Sequence, residues 1–263
     1  MLVNFHIHTD TSDDAVGTYE ENIKSAIDAG FSEICFTNHH DWVSLINETF
    51  TYAQSMKKWK KDHQEVKQLD IKYPEIKVRF GIELGYEDNY DEVIIKFLKS
   101  LDLDFVLGSI HTFDKTFIGD SIIKEDQYED LIEKYFYNLN KLIKLNLVDS
   151  ISHLDVFIRY YPKISYSLYE KKAKDTLKLI KESDVALELN VAGWNYPPKE
   201  QNPSKKLLLY AKEIGIEKIT IGSDSHNPKI FSSNIKKGIK LLKEIGFKKV
   251  CTFKKRKIIY HDL

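Results

Sequence analysis

The sequence predicts an α/β protein folded as a (β/α) barrel, and three observations lead there. Short β-branched or apolar runs alternate with longer amphipathic stretches, the pattern of βαβ units around a parallel sheet. Gly30, Gly215 and Gly246 stand where amphipathic stretches end, and glycine readily takes the left-handed C-cap conformation. Seven of the nine histidines fall at or just beyond the ends of the runs read as strands, His63 and His261 being the exceptions.

In chain order, the first strand covers residues 2–6, and it leads into His6 and His8, which share one face because strand side chains alternate with a period of two. Further strands are expected at 33–37, 77–82, 105–109, 150–153, 186–190 and 219–222, with an eighth at 249–253. Between them the apolar spacing predicts helices at 19–29, 44–72, 90–101, 127–145, 169–181, 204–214 and 232–245. The lysine-rich stretch 56–72 reads as a solvated helix face, and 254–257 (Lys-Lys-Arg-Lys) as a surface tail. Tyr160-Tyr161-Pro162 and Asn195-Tyr196-Pro197-Pro198 read as loops, because proline restricts itself and the residue before it. No Gly/Ser/Pro-rich linker and no internal repeat interrupts the alternation, so residues 1–263 are expected to form one domain.

Composition excludes several functions. With 42% hydrophobic residues and a net charge of -1, the chain has a large core and no long-range attraction for nucleic acid. No apolar run suits a membrane helix, and Met1-Leu2-Val3 leads into polar Asn4 without a signal-peptide pattern, so a cytoplasmic location is expected. Cys35 and Cys251 form neither a CxxC motif nor a disulfide framework, and both read as packing residues. Nothing sets the oligomeric state.

The C-terminal ends of parallel barrel strands meet at one face, which gathers residues distant in sequence. His39, His40, His111, His153 and His226 join the first pair there, as do Glu83 and Asp224. Buried carboxylates need positive partners, and Lys and Arg are scarce at these positions, so divalent cations are expected. Mixed imidazole and carboxylate donors suit Zn, Mn or Fe.

These segments resemble the PHP (polymerase and histidinol phosphatase) family of metal-dependent phosphoesterases. The matching motifs are Phe5-His6-Ile7-His8-Thr9 through Asp14-Ala15, Thr37-Asn38-His39-His40, Gly81-Ile82-Glu83, Gly108-Ser109-Ile110-His111, Ser152-His153-Leu154-Asp155 and Gly222-Ser223-Asp224-Ser225-His226, in family order. The resemblance implies a distorted (β/α)7 TIM-like barrel with three divalent metal ions at the C-terminal strand ends. It would have His6, His8 and Asp224 hold the first ion, Glu83 bridge it to a second held by His111 and His153, and His39, His226 and Asp14 hold the third. Asp13 competes with Asp14, and Asn38 departs from the aspartate often found before this histidine.

For such a site, the expected reaction is hydrolysis of a phosphate monoester by a metal-bridging hydroxide. Arg159 follows His153 closely enough to fork onto the phosphate. His40 is expected to contact the substrate or protonate the leaving group, Asp155 to orient His40 or a ligand imidazole, and Asn190 to bond the substrate or a metal-bound water. The chain's length, the extended segment 43–73, the insertion at 113–124 and the Arg159 loop resemble the stand-alone branch that hydrolyses L-histidinol phosphate, the penultimate stage of histidine biosynthesis. A protein-tyrosine phosphatase of the same family and a C–N-cleaving amidohydrolase are the alternatives.

Overall fold

A computed structural model describes residues 1–42, 55–113, 116–119 and 123–263, so the expected start of the second helix and much of the expected insertion fall outside the described residues. Its strands are β1 (Val3–Asn4), β2 (Glu33–Phe36), β3 (His39–Asp41), β4 (Lys77–Gly85), β5 (Phe105–Ser109), β6 (Thr112–Phe113), β7 (Thr116–Phe117), β8 (Ser150–Ile151), β9 (Ala186–Asn190), β10 (Ile219–Gly222), β11 (Lys249–Lys254) and β12 (Lys257–Asp262). The helices are α1 (Tyr19–Asp28), α2 (Met56–Lys72), α3 (Asp91–Lys99), α4 (Tyr128–Leu145), α5 (Phe157–Tyr160), α6 (Tyr166–Glu182), α7 (Lys205–Glu213) and α8 (Ile235–Ile245).

Seven parallel strands run in the order β1-β2-β4-β5-β8-β9-β10, with β3 paired to the upper half of β4. Three backbone hydrogen bonds join the last strand region to the first: Phe5 N to Ile221 O, Asp224 N to His6 O and His8 N to Ser225 O, each 2.9 Å. The sheet therefore meets itself as a barrel.

Alternation along each strand divides the residues between two environments. In β4, Val78, Phe80, Ile82 and Leu84 join the main hydrophobic core with helix residues such as Ile94 and Leu139, while Arg79, Gly81 and Glu83 take the other face. The same period sends Leu187 and Leu189 to that core and leaves Glu188 and Asn190 on the opposite face of β9. Helix ends follow local chemistry. Thr18 and Glu21 form a capping box on α1, Ser55 Oγ accepts from Lys58 N at the start of α2, and Gly30, Gly215 and Gly246 all have positive φ past helix ends.

The expected eighth strand forms as β11 but lies outside the barrel sheet. β11 pairs antiparallel with β12, turning through Lys255 and Arg256 at φ +50° and +62°, so it forms a hairpin instead of a further parallel member. The basic run is likewise no free tail. Lys255 N and Arg256 N donate to Asp104, and the Arg256 side chain pairs with Asp149 and donates to Leu147 O at 2.7 Å. The hairpin's Cys251 and Phe253 pack with Phe5, Cys35, Phe105 and Leu107 in a second core cluster, with both cysteines buried and unbridged.

Candidate metal centre

The strand registers build the site. β3 pairs with β4 so that His39 stands opposite Glu83, and matched residues on neighbouring strands share a face. His39 Nδ1 lies 3.0 Å from Glu83 Oε2. The same oxygen is 3.2 Å from His6 Nε2 and 3.4 Å from His8 Nε2. Glu83 Oε1 faces the other way, 3.3 Å from His111 Nε2 and 3.1 Å from His153 Nε2.

Asp224 Oδ1 lies 3.5 Å from both His6 Nε2 and His8 Nε2. Asp14 Oδ2 lies 3.5 Å from His39 Nε2 and 3.1 Å from His226 Nε2, and Asp14, not Asp13, lines the adjoining cavity. All nine side chains expected as ligands are thus brought together. Three sets have donor atoms within 4.8 Å of one another: His6, His8 and Glu83; His39, Glu83 and His111; and His8, His39 and His226. His8, His39 and Glu83 each belong to two sets, so the imidazoles are shared more widely than the expected partition.

Hydrogen bonds behind the cluster orient its members. His6 Nδ1–H donates to Glu188 Oε1 at 2.7 Å, and Glu188 Oε2 accepts from His153 N at 2.8 Å. Gly222 makes this possible, since a Cβ there would stand 2.2 Å from Glu188 Oε1. His111 Nδ1–H donates to Asp41 Oδ1 at 2.9 Å, and His226 Nδ1–H donates to Asp224 O at 3.0 Å. With Nδ1 taken up by these bonds, each Nε2 faces the cluster, the orientation that a metal-ligating imidazole requires.

Charge and burial fit a cation. Burial would push the Glu83 carboxyl up, but His6, His111 and His39 around it hold it well below the ordinary carboxylate range. Asp224 is likewise held low against its burial by His6, His8 and Arg159. Burial, with His39 and His226 nearby, keeps His8 well below the usual histidine value, in the neutral form that binds metal. Among the described residues Glu83 Oε2 is buried with no hydrogen bond of good geometry, although three imidazole nitrogens lie within 3.4 Å. A metal ion would supply a partner for this oxygen, and the His/Glu groups could hold one.

Beside the cluster opens a cavity of about 420 Å³, within the small-molecule range of about 300–1,000 Å³. Phe117, Ile118, Val156, Tyr160, Tyr196 and Ile230 give it an apolar wall, and among the described residues Arg159 is its one permanent cation. The buried Arg159 donates from Nε to Asn202 Oδ1 (2.7 Å), from one terminal nitrogen to Asp224 Oδ2 (2.9 Å) and from the other to Asn190 Oδ1 (2.7 Å).

Three expected roles are corrected. His40 points away from the cluster, as its neighbour His39 points in. It stacks on Phe97 at 4.0 Å and accepts from Trp59 Nε1–H at 3.1 Å. Burial lowers its pKa to about 4, so it is a neutral core side chain that neither lines the cavity nor bonds Asp155. Asp155 instead accepts from Asn202 Nδ2 (2.8 Å) and Ser204 N (3.0 Å), orienting no imidazole. Asn190 does not line the cavity and instead accepts from Arg159. Sequence reasoning missed Asp41 and Asn202. Strand alternation from His39 was a signal for Asp41; no local pattern marked Asn202.

Comparison with known proteins agrees with this architecture. The chain is 29% identical to the histidinol-phosphatase of Lactococcus lactis over 97% of its own length and 96% of that protein. It is 27% identical to the probable histidinol-phosphatase of Deinococcus radiodurans, covering 98% of each chain. Among solved structures, the histidinol phosphate phosphatase of Lactococcus lactis complexed with zinc, L-histidinol and phosphate superposes with a TM-score of 0.87 at 26% identity, again covering 98% of each chain. The sequence profile of the PHP domain matches residues 4–192, which with the barrel and its histidine-rich strand ends establishes that the chain belongs to the PHP domain family.

Proposed function

We propose that the protein is a metal-dependent phosphomonoesterase that hydrolyses L-histidinol phosphate to L-histidinol and phosphate in the cytoplasm, as a step of histidine biosynthesis. The observation that carries this reading is the joining of a nine-donor His/Asp/Glu cluster and one oriented guanidinium in a single cavity of small-molecule size. The likeness to a structure with zinc, L-histidinol and phosphate bound supports the choice of substrate.

Three divalent ions (Zn, Mn or Fe) would be held by His6, His8 and Asp224, by His111 and His153, and by His39, His226 and Asp14, with Glu83 shared between the first two. When bound, such ions make a water nucleophilic at neutral pH and neutralise phosphate charge. The chain's own groups do the rest. Glu188, Asp41 and the Asp224 carbonyl keep the imidazoles in the metal-binding tautomer. Arg159 has five N–H donors, of which three are used within the protein, and the remaining donors on its terminal nitrogens serve the phosphate oxygens. The apolar wall receives the organic part of the substrate and excludes water from it.

The test is steady-state phosphate release from L-histidinol phosphate and from a phosphotyrosine peptide, with metal content measured by plasma mass spectrometry. Preference for L-histidinol phosphate and three metals per chain are expected. Preference for the peptide, or no release by metal-loaded protein, would overturn the reading.

A further inference from the structure

The geometry points to Asn202 as a positioning residue: with Asn190 it forms a neutral amide clamp that aims the Arg159 guanidinium at the phosphate without cancelling its charge. This rests on the reading of Arg159 as a phosphate-binding group.

Asn190 and Asn202 face each other across an isolated antiparallel bridge, with Asn190 N donating to Asn202 O at 2.8 Å and Asn202 N to Asn190 O at 3.0 Å. Residues directly opposed in an antiparallel pair project side chains to the same face. The bridge therefore sets two carboxamides side by side, and the guanidinium sits against both oxygens, at 2.7 Å from Nε and 2.7 Å from a terminal nitrogen.

A carboxamide can turn either its oxygen or its NH2 toward a neighbour, and only the oxygen accepts from arginine. Acids behind the clamp decide the orientation. Asn202 Nδ2 donates to Asp155 Oδ1 at 2.8 Å, and Asn190 Nδ2 donates to Glu188 Oε2 at 3.1 Å and Asp224 Oδ2 at 3.3 Å. Asp155 is in turn fixed by Ser204 N. Gly193 leaves room for this packing, since a Cβ there would lie 2.7 Å from Asn202 Oδ1.

Neutral acceptors matter because, among the described residues, Arg159 has one carboxylate partner, Asp224, at 2.9 Å. A second carboxylate in direct contact would compete with phosphate for the same cation, whereas an amide oxygen fixes the plane and leaves the charge. Arg159, Asn190, Asn202, Asp155 and Glu188 are all buried, so solvent does not replace a missing acceptor.

The experiment is a double-mutant cycle of Asn202→Ala and Arg159→Ala in metal-loaded protein. It reads KM, kcat, competitive inhibition by inorganic phosphate, bound metal and Tm. Asn202→Ala should raise the inhibition constant for phosphate and the KM for L-histidinol phosphate by about tenfold, the scale of one hydrogen bond to a charged group, with metal content unchanged. In the Arg159→Ala background the same change should add less than about twofold, because interacting residues are not additive. Equal effects in both backgrounds, or a loss that follows metal content or Tm alone, would overturn the clamp. If Arg159→Ala itself leaves phosphate inhibition unchanged, the reading of Arg159 fails, an outcome separate from a measurable Arg159 effect with no coupling to Asn202. Should Asn202→Ala not fold, Asn202→Ser keeps a small polar group and gives the same cycle.

Discussion

The two ends of the barrel are made by the same strands and differ in how charge is balanced. At the lower end each buried charge has an opposite partner within the chain: Glu33 pairs with Arg79 at 2.7 Å and Asp149 with Arg256. Aromatic rings fill the space between, Phe105 standing 5.3 Å from Phe5 and 5.2 Å from Phe253. At the upper end, Glu83, Asp224, Asp14 and six histidines crowd together around one arginine. The lower end is complete as polypeptide; the upper end is arranged for cations from outside, as strand ends in such barrels divide stability from chemistry.

Substitutions that separate the ends make this contrast measurable. Glu83→Ala should bring the largest effect, turnover falling to background together with loss of bound metal in the same preparation; an active, metal-replete variant would break the assignment of the upper end. Phe253→Ala should cost about 3 kcal/mol of stability by opening a cavity in the lower core, read by urea unfolding, while kcat of the folded protein stays near wild type. A large fall in kcat would show that the ends are coupled. Arg159→Ala should lower kcat/KM by about thirtyfold while metals stay bound, consistent with loss of charge-assisted hydrogen bonds worth about 2 kcal/mol.

The smallest effect concerns pH at the lower end. Burial, opposed by Arg256, lifts Asp149 to about 6. Between the ordinary aspartate value and about 6, the folded state then binds this proton more tightly than the unfolded state. Stability from this group should therefore fall as pH rises through that window and level off above it. Asp149→Asn should flatten that slope in urea melts at constant metal loading; an unchanged slope would place the titration elsewhere.

Much of this was legible because strand alternation and strand order are local patterns. The ranges for β5, β9 and β10 were read directly from apolar runs, and every candidate ligand but Asp14, which the family resemblance implied, stood at or just beyond such a run. What escaped depended on pairing at a distance. The run at 249–253 has strand composition, but its hairpin partner is set by the turn at Lys255-Arg256, which lacks the Gly or Asn that usually marks one. His40 looked functional because it adjoins His39, yet one residue along a strand reverses direction and placed it among Trp42, Trp59 and Phe97. Asp155 and Asn190 were assigned to the reacting groups, whereas the structure sets both behind Arg159. No helix among the described residues is long and apolar enough to cross a membrane.

The seam where β10 meets β1 also governs when the centre can come into being. β1 precedes β10 along the chain with every other strand of the sheet between them, so the sheet keeps an open edge until β10 is in place. His6 and His8 lie on that edge and Asp224 arrives with the strand that closes it. An ion held across the three would close a loop that takes in every strand of the sheet, a cross-link possible only after β10 docks.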